Sequence, residues 1–152
     1  MINVLTILSK LDRVSRVVDP ASFSYNPGQW ADLDSEGGLV VPANGVPAVL
    51  PQLILGNPGD NVYEGHDLKV GRITTIEGAG VRVSVDGAGF AGTVNQGDLL
   101  YVSADSANKG KLVALATITA PGWYVAVAKA QQITAGVLTY VTLSPVILTQ
   151  KS

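Results

Sequence analysis

Few residues in this chain are equipped for chemistry. There is one histidine, His66, and no cysteine. His66 sits in the polar run Glu64-Gly65-His66-Asp67, ahead of an alternating segment. A serine nucleophile would need it as its base, yet no serine stands in a Gly-x-Ser-x-Gly turn. The run reads as solvated loop. Zinc sites draw on several nitrogen or sulfur ligands, which one imidazole without a thiolate does not supply. The absence of cysteine also removes any disulfide framework. Carboxylates group twice, as Asp32 with Asp34 and Glu36, and as Asp60 with Glu64 and Asp67. The first group falls around the turn Leu33-Asp34-Ser35-Glu36-Gly37-Gly38 and lacks the spacing of a calcium loop. It is expected to be solvated turn acids. Gly78-Ala79-Gly80 and Gly87-Ala88-Gly89-Phe90-Ala91-Gly92 are followed by neither a Lys-Ser/Thr pair nor a helical pattern. They read as turns or bulges, not phosphate cradles. Nine aromatics without interleaved basic residues make no stacking platform for nucleic acid. Trp30 and Trp123 stand at strand starts and read as interface or core anchors. The expectation is a chain with no catalytic residue, no metal site, no cofactor and no small-molecule substrate.

Such a chain is built to pack. Its 152 residues suit one domain, or one domain with an arm. Apolar residues make up 47% and charged residues 14%, about half the usual charged share. With 17 glycines and 8 prolines the chain is rich in turns but is not low-complexity. A net charge of -2 does not suit a nucleic-acid binder. The charges are segregated: residues 1–18 carry net +2, residues 19–105 net -8 and residues 106–152 net +4. Segregation of this kind suits electrostatic complementarity between copies or with a partner. No apolar run reaches the length of a membrane span. The start MINVLTILSKLDRVSRVV has its basic residues after the apolar stretch, so it does not read as a signal peptide and the chain is expected to stay in the cytoplasm.

Three segments follow from the pattern: an arm over 1–18, a loop-rich extended segment over 19–62, and a β domain over 63–152. In the arm, Val4, Ile7, Leu11, Val14 and Val18 share one helical face. Its four valines and two isoleucines, and the alternation Arg13-Val14-Ser15-Arg16-Val17, favour a strand instead. Helix and extended chain both stay open. Residues 19–62 hold turn signals at Asn26-Pro27-Gly28, Glu36-Gly37-Gly38, Asn44-Gly45 and Asn57-Pro58-Gly59-Asp60. Pro42, Pro47 and Pro51 suggest an extended connection or edge strands. The segment is expected to hug the surface, with Leu53–Leu55 as a short apolar run. Beyond it, Val81, Val83 and Val85 share a face opposite Arg82 and Ser84. Further strands are expected over 99–103, 111–114, 123–128, 137–143 and 146–148, with turn signals every 8–15 residues. The fold class is mainly β: a small antiparallel β-sandwich or barrel with an N-terminal amphipathic arm and a loop-rich N-terminal third.

Several stretches resemble the head decoration, or capsid cement, proteins of tailed bacteriophages. They are Thr6–Val18, Gly28–Asp34 followed by Gly38-Leu39-Val40, Gly71–Gly78 running into Val81-Arg82-Val83, and Gln96–Val102 followed by Gly110-Lys111-Leu112 and Trp123–Ala128. The resemblance implies a non-enzymatic virion protein, made in the host bacterial cytoplasm, that binds the major capsid protein on the outer capsid surface. It implies a homotrimer that stabilises the shell, and terminal arms that engage neighbouring subunits. Leu5, Ile7, Leu8, Lys10, Leu11, Arg13 and Arg16 are the expected contacts of such an arm, the arginines pairing with carboxylates of the shell. An alternative is a carbohydrate- or receptor-binding module of a phage fibre or tail, which would need an exposed aromatic platform. Neither reading involves nucleic acid or a membrane.

Overall fold

The computed structural model describes residues 2–7, 12–18, 23–56, 72–77, 81–87, 89–134, 136–143 and 147–152. The chain is mainly β, with 46% of it in strands. In chain order the strands are β1 (Ile2–Ile7), β2 (Asp12–Val17), β3 (Trp30–Leu33), β4 (Leu39–Val40), β5 (Gln52–Gly56) and β6 (Arg72–Glu77). There follow β7 (Val81–Val85), β8 (Leu99–Val102), β9 (Leu112–Ala114), β10 (Gly122–Thr134), β11 (Val137–Thr142) and β12 (Leu148–Lys151). A single 3-10 turn, Leu115–Thr117, is the helical element among the described residues. One sheet has the order β1-β7-β11-β10-β8-β9, with β12 added to β10; the other has the order β2-β6-β5-β3-β4. The strand pairings are antiparallel, and the sheets do not close into a barrel. Of sandwich and barrel, the fold is sandwich-like.

Alternation places the core. Val83 and Val85 of β7, Leu100 and Val102 of β8, and Leu138 and Tyr140 of β11 point inward from the first sheet. Trp30, Leu53 and Leu55 meet them from the second. The intervening residues of both sheets are covered too. Tyr101, Val113, Tyr124 and Ala126 lie on the far face of the first sheet beneath the segment carrying Ile118. Ala31 and Ile54 lie on the far face of the second beneath Val18 and Tyr25. Burial of both faces explains the near-continuous apolar runs in β5 and β8, where a half-exposed strand would alternate.

One open choice is decided and two expectations need correction. First, the amino-terminal segment is extended and pairs within its own chain: β1 with β7 and β2 with β6, each at one edge of its sheet. The β-branched content prevails over the helical spacing, since such side chains fit a pleated sheet. Second, residues 19–62 do more than hug the surface. Leu53, Ile54 and Leu55 are fully buried in β5, an inner strand. The second sheet thereby takes strands from all three sequence segments. The proline-bearing stretch 41–51 holds no strand: it is a connection with a turn at Asn44-Gly45 and a bend at Val49-Leu50. Third, β10 runs to Thr134, six residues beyond the expected end at Ala128. Gln131 and Gln132 break the apolar run but not the ladder with β11.

Candidate interaction surface

The first half of β10 and the whole of β12 form a two-stranded extension of the first sheet. Gly122, Trp123, Tyr124 and Val125 pair with Lys151, Gln150, Thr149 and Leu148. Residues opposite each other share a face. Tyr124 and Thr149 point to the covered face, where the Tyr124 hydroxyl donates to Ala120 O at 3.0 Å. There the Thr149 hydroxyl also bonds the Tyr101 hydroxyl at 2.9 Å. Trp123, Val125, Leu148 and Gln150 therefore share the other face. Trp123 is 60% exposed and Leu148 61%. Ile147, next in the chain, is also exposed.

The connection 41–51 meets the start of β10 from the other side. A methyl group placed on Gly122, which alternates with Tyr124, would stand 2.9 Å from Pro47 and 3.9 Å from the Tyr124 ring. Val46, Val49 and Leu50 of the connection are exposed, Val49 to 72%. Their backbone is nonetheless held in place. The buried carboxylate of Asp32 accepts from Val49 N at 2.9 Å and Leu50 N at 2.7 Å. Gly45 N donates to Ala104 O at 2.8 Å, and the Lys109 ammonium donates to Pro42 O at 2.6 Å and Asn44 Oδ1 at 2.8 Å. A loop tied down by charged groups while holding aliphatic side chains in water has the character of a prepared contact surface.

Asp32 corrects the reading of the first acidic group as solvated. Asp34 and Glu36 are exposed in the β3–β4 turn, where Asp34 Oδ1 accepts from Glu36 N and Gly38 N. Asp32 is buried and serves the connection instead. Asp105 works the same way on the other side of the sheet, accepting from Thr119 N, Thr119 Oγ1 and Ala120 N. Burial pushes its carboxyl up, but these hydrogen bonds and the charge of Lys151 outweigh that and hold it below the ordinary range.

The expected site residues separate. Trp30 is buried in the core between the sheets, and Trp123 stands on the surface. Burial pushes the nearby Tyr140 hydroxyl up, an effect that the Trp30 indole partly offsets. Arg16 is half-buried, with Nη1 donating to Gly37 O at 3.4 Å, so it lies against the β3–β4 turn. Leu5 and Ile7 fall in β1 and Arg13 in β2. Leu8, Lys10 and Leu11 lie outside the described residues, as do His66, Asp60, Glu64, Asp67 and Gly78-Ala79-Gly80. Among the described residues no three His, Cys, Asp or Glu gather as a metal site, and no helix is long and apolar enough to cross a membrane. Sequence reasoning passed over Val46, Val49, Leu50 and Leu148. Their exposure depends on what packs beside them, and a short apolar run carries no mark of that.

Compared with known protein families, curated proteins and solved structures, the chain matches none.

Proposed function

We propose that this chain is a non-enzymatic structural virion protein, a decoration or cement protein that binds the outer surface of a phage capsid and stabilises the shell as a homotrimer. The observation that carries the reading is the exposed apolar face of the β10–β12 extension, where Trp123 and Leu148 stand in water beside Val125. It supplies what an assembly subunit needs, large apolar side chains held in place before the partner arrives. The stretches that resemble capsid cement proteins supply the partner class, the major capsid protein. In this reading the β10–β12 extension, rather than the expected arm, supplies the contact surface. Many copies on one shell reinforce one another by multivalency, so each contact need only be modest.

Trp123→Ala and Leu148→Ser are expected to leave the melting temperature within about 2 °C, since both side chains are largely exposed. Each is expected to weaken binding to expanded capsids about 10-fold or more, measured by co-sedimentation. Unchanged binding in both variants would sink the assignment of this surface.

The exposed indole of Trp123 on a sheet face also fits the second reading, a carbohydrate-binding module of a fibre or tail. Capture on a glycan array that disappears in Trp123→Ala, with no capsid binding by the parent chain, would favour it.

A further inference from the structure

Arg82 and Lys129 are 47 positions apart in sequence, yet they flank the same residue of β11. Arg82 of β7 is opposite Val141, and Lys129 of β10 is opposite Val141 from the other side. Directly opposed residues share a face, and Val83, Val85, Leu138 and Tyr140 occupy the inner one. Both cations therefore stand on the outer face, one strand spacing to either side of Val141. That separates their backbones by about 10 Å, which two long side chains leaning over Val141 can close on a single anion. The two residues line an open depression of about 590 Å³, together with Gln96, Gln131 and Thr139. None of the described residues that line it is acidic. The nearest described carboxylate along the chain, Asp98, is turned to its own loop, accepting from Asn95 N at 2.8 Å. Arg82 Nε is buried there with no hydrogen-bond partner. A buried charged donor without an acceptor is costly, and an anion seated in the depression would offset it through charge.

The same chain carries a suitable carboxylate. Asp32, Asp98 and Asp105 each accept from backbone amides, and Asp34 holds the amides of its own turn. Asp86 has a partner of its own. Among the acids whose side chains are described, Glu36 differs: it is exposed at the tip of the β3–β4 hairpin, and no partner of its carboxylate is found among the described residues. We propose that the Arg82–Lys129 depression on one copy receives Glu36 from the β3–β4 turn of a second copy. The donor and acceptor surfaces are different parts of the molecule, so repeated head to tail the contact can build a closed ring such as a trimer. The two cations of the depression and the carboxylate of Glu36 carry opposite charge, which makes the encounter favourable.

The proposal rests on the reading of the chain as a self-assembling virion protein only in requiring a second copy, so its test is made off the capsid. Self-association is measured by sedimentation over a concentration series. Glu36→Lys and Lys129→Glu should each raise the dissociation concentration about 10-fold or more, with unchanged thermal melts. The two combined restore opposite charges and should return it to within about 3-fold of the parent. Raised salt should weaken the parent's association. A parent that stays monomeric, single variants that associate like the parent, or a charge-swapped double variant no better than the singles would each overturn the contact. Loss of capsid binding with the association pattern intact would instead count against the capsid reading alone.

Discussion

Tyr25 packs in the cluster that covers the far face of the second sheet, with its ring edge-on to Phe23 at 5.8 Å. Its hydroxyl is buried without a hydrogen-bond partner, and burial pushes its pKa up to about 12. The sign of the pH effect follows. Below about pH 10 the phenol is neutral in the folded and the unfolded chain, and stability is unaffected. Between there and the folded value of about 12, only the unfolded chain ionises, so stability falls as pH rises. Urea midpoints measured from about pH 9 upward should show this decline, and Tyr25→Phe should make it shallower, leaving the share that the buried Tyr140 and Tyr124 contribute. The same substitution removes an unsatisfied hydroxyl, so at neutral pH it should cost less than about 1 kcal/mol. Asp32 shows the complementary case, a buried polar group fully used. Its three amide partners, Leu33, Val49 and Leu50, make one carboxylate the tie between β3 and the connection that carries the exposed aliphatics.

At the level of elements, the β8–β9 hairpin is what locks the two sheets together. Trp30 N of the second sheet donates to Gly110 O at 2.8 Å, in the loop leading into β9 of the first. Gly110 has φ +80, and a methyl group there would lie 2.8 Å from the Tyr25 ring and 3.0 Å from Trp30 O. Left-handed backbone costs a non-glycine residue about 1–2 kcal/mol, and the clash with backbone adds to it. Gly110→Ala should therefore destabilise the fold by about 3 kcal/mol, read from denaturant unfolding. Gly45→Ala is the control: it shares a positive φ of 78, but nothing lies within 4 Å, so only the smaller backbone cost applies. The bulge in β10 matters as much. The ladder with β8 shifts between Ala126 and Ala128, and Val127 is the extra residue. Before it, even-numbered residues Tyr124 and Ala126 face the outer cluster; after it, Ala128 and Ala130 face the inner core. One inserted residue thus puts Lys129 on the outer face while Trp123 stands on the other.

For the whole molecule, the two edges formed by β1 and β2 set what truncation does. Removing residues 1–18 takes the pairing partner from β7 and from β6 at once. Each sheet would then present an unpaired edge, the usual route to aggregation. The expected outcome is a lower melting temperature and concentration-dependent precipitation, seen in scattering during a thermal ramp. A truncated chain that melts like the parent and stays soluble would show that β1 and β2 add nothing to the fold, and would return them to the role of arm. The exposed apolar surface and the Arg82–Lys129 depression lie on different parts of the molecule, so contact with a shell and contact between copies do not compete.

Much of the strand content was legible because period-two alternation is a local property. Val83 and Val85, Leu100 and Val102, and Leu138 and Tyr140 declare their strands, and Asn-Lys-Gly at 108–110 or Gly-Asp at 97–98 declares the turns between them. Alternation says that two faces exist but not which one is covered. Trp30 follows Gly28-Gln29 and Trp123 follows Gly122, both at strand starts, and one is core while the other is surface, because only the first has an opposing sheet above it. Asp32 and Asp34 stand two residues apart, and only the first meets the amides of a distant connection. Helical spacing at the amino terminus competed with β-branched content, and pairing with β6 and β7 decided between them. By itself, then, the sequence determined a turn-rich, mainly β chain with little catalytic equipment. Strand order, the bulge at Val127 and the meeting of Arg82 with Lys129 were decided only in three dimensions, because each depends on contacts between segments far apart in the chain.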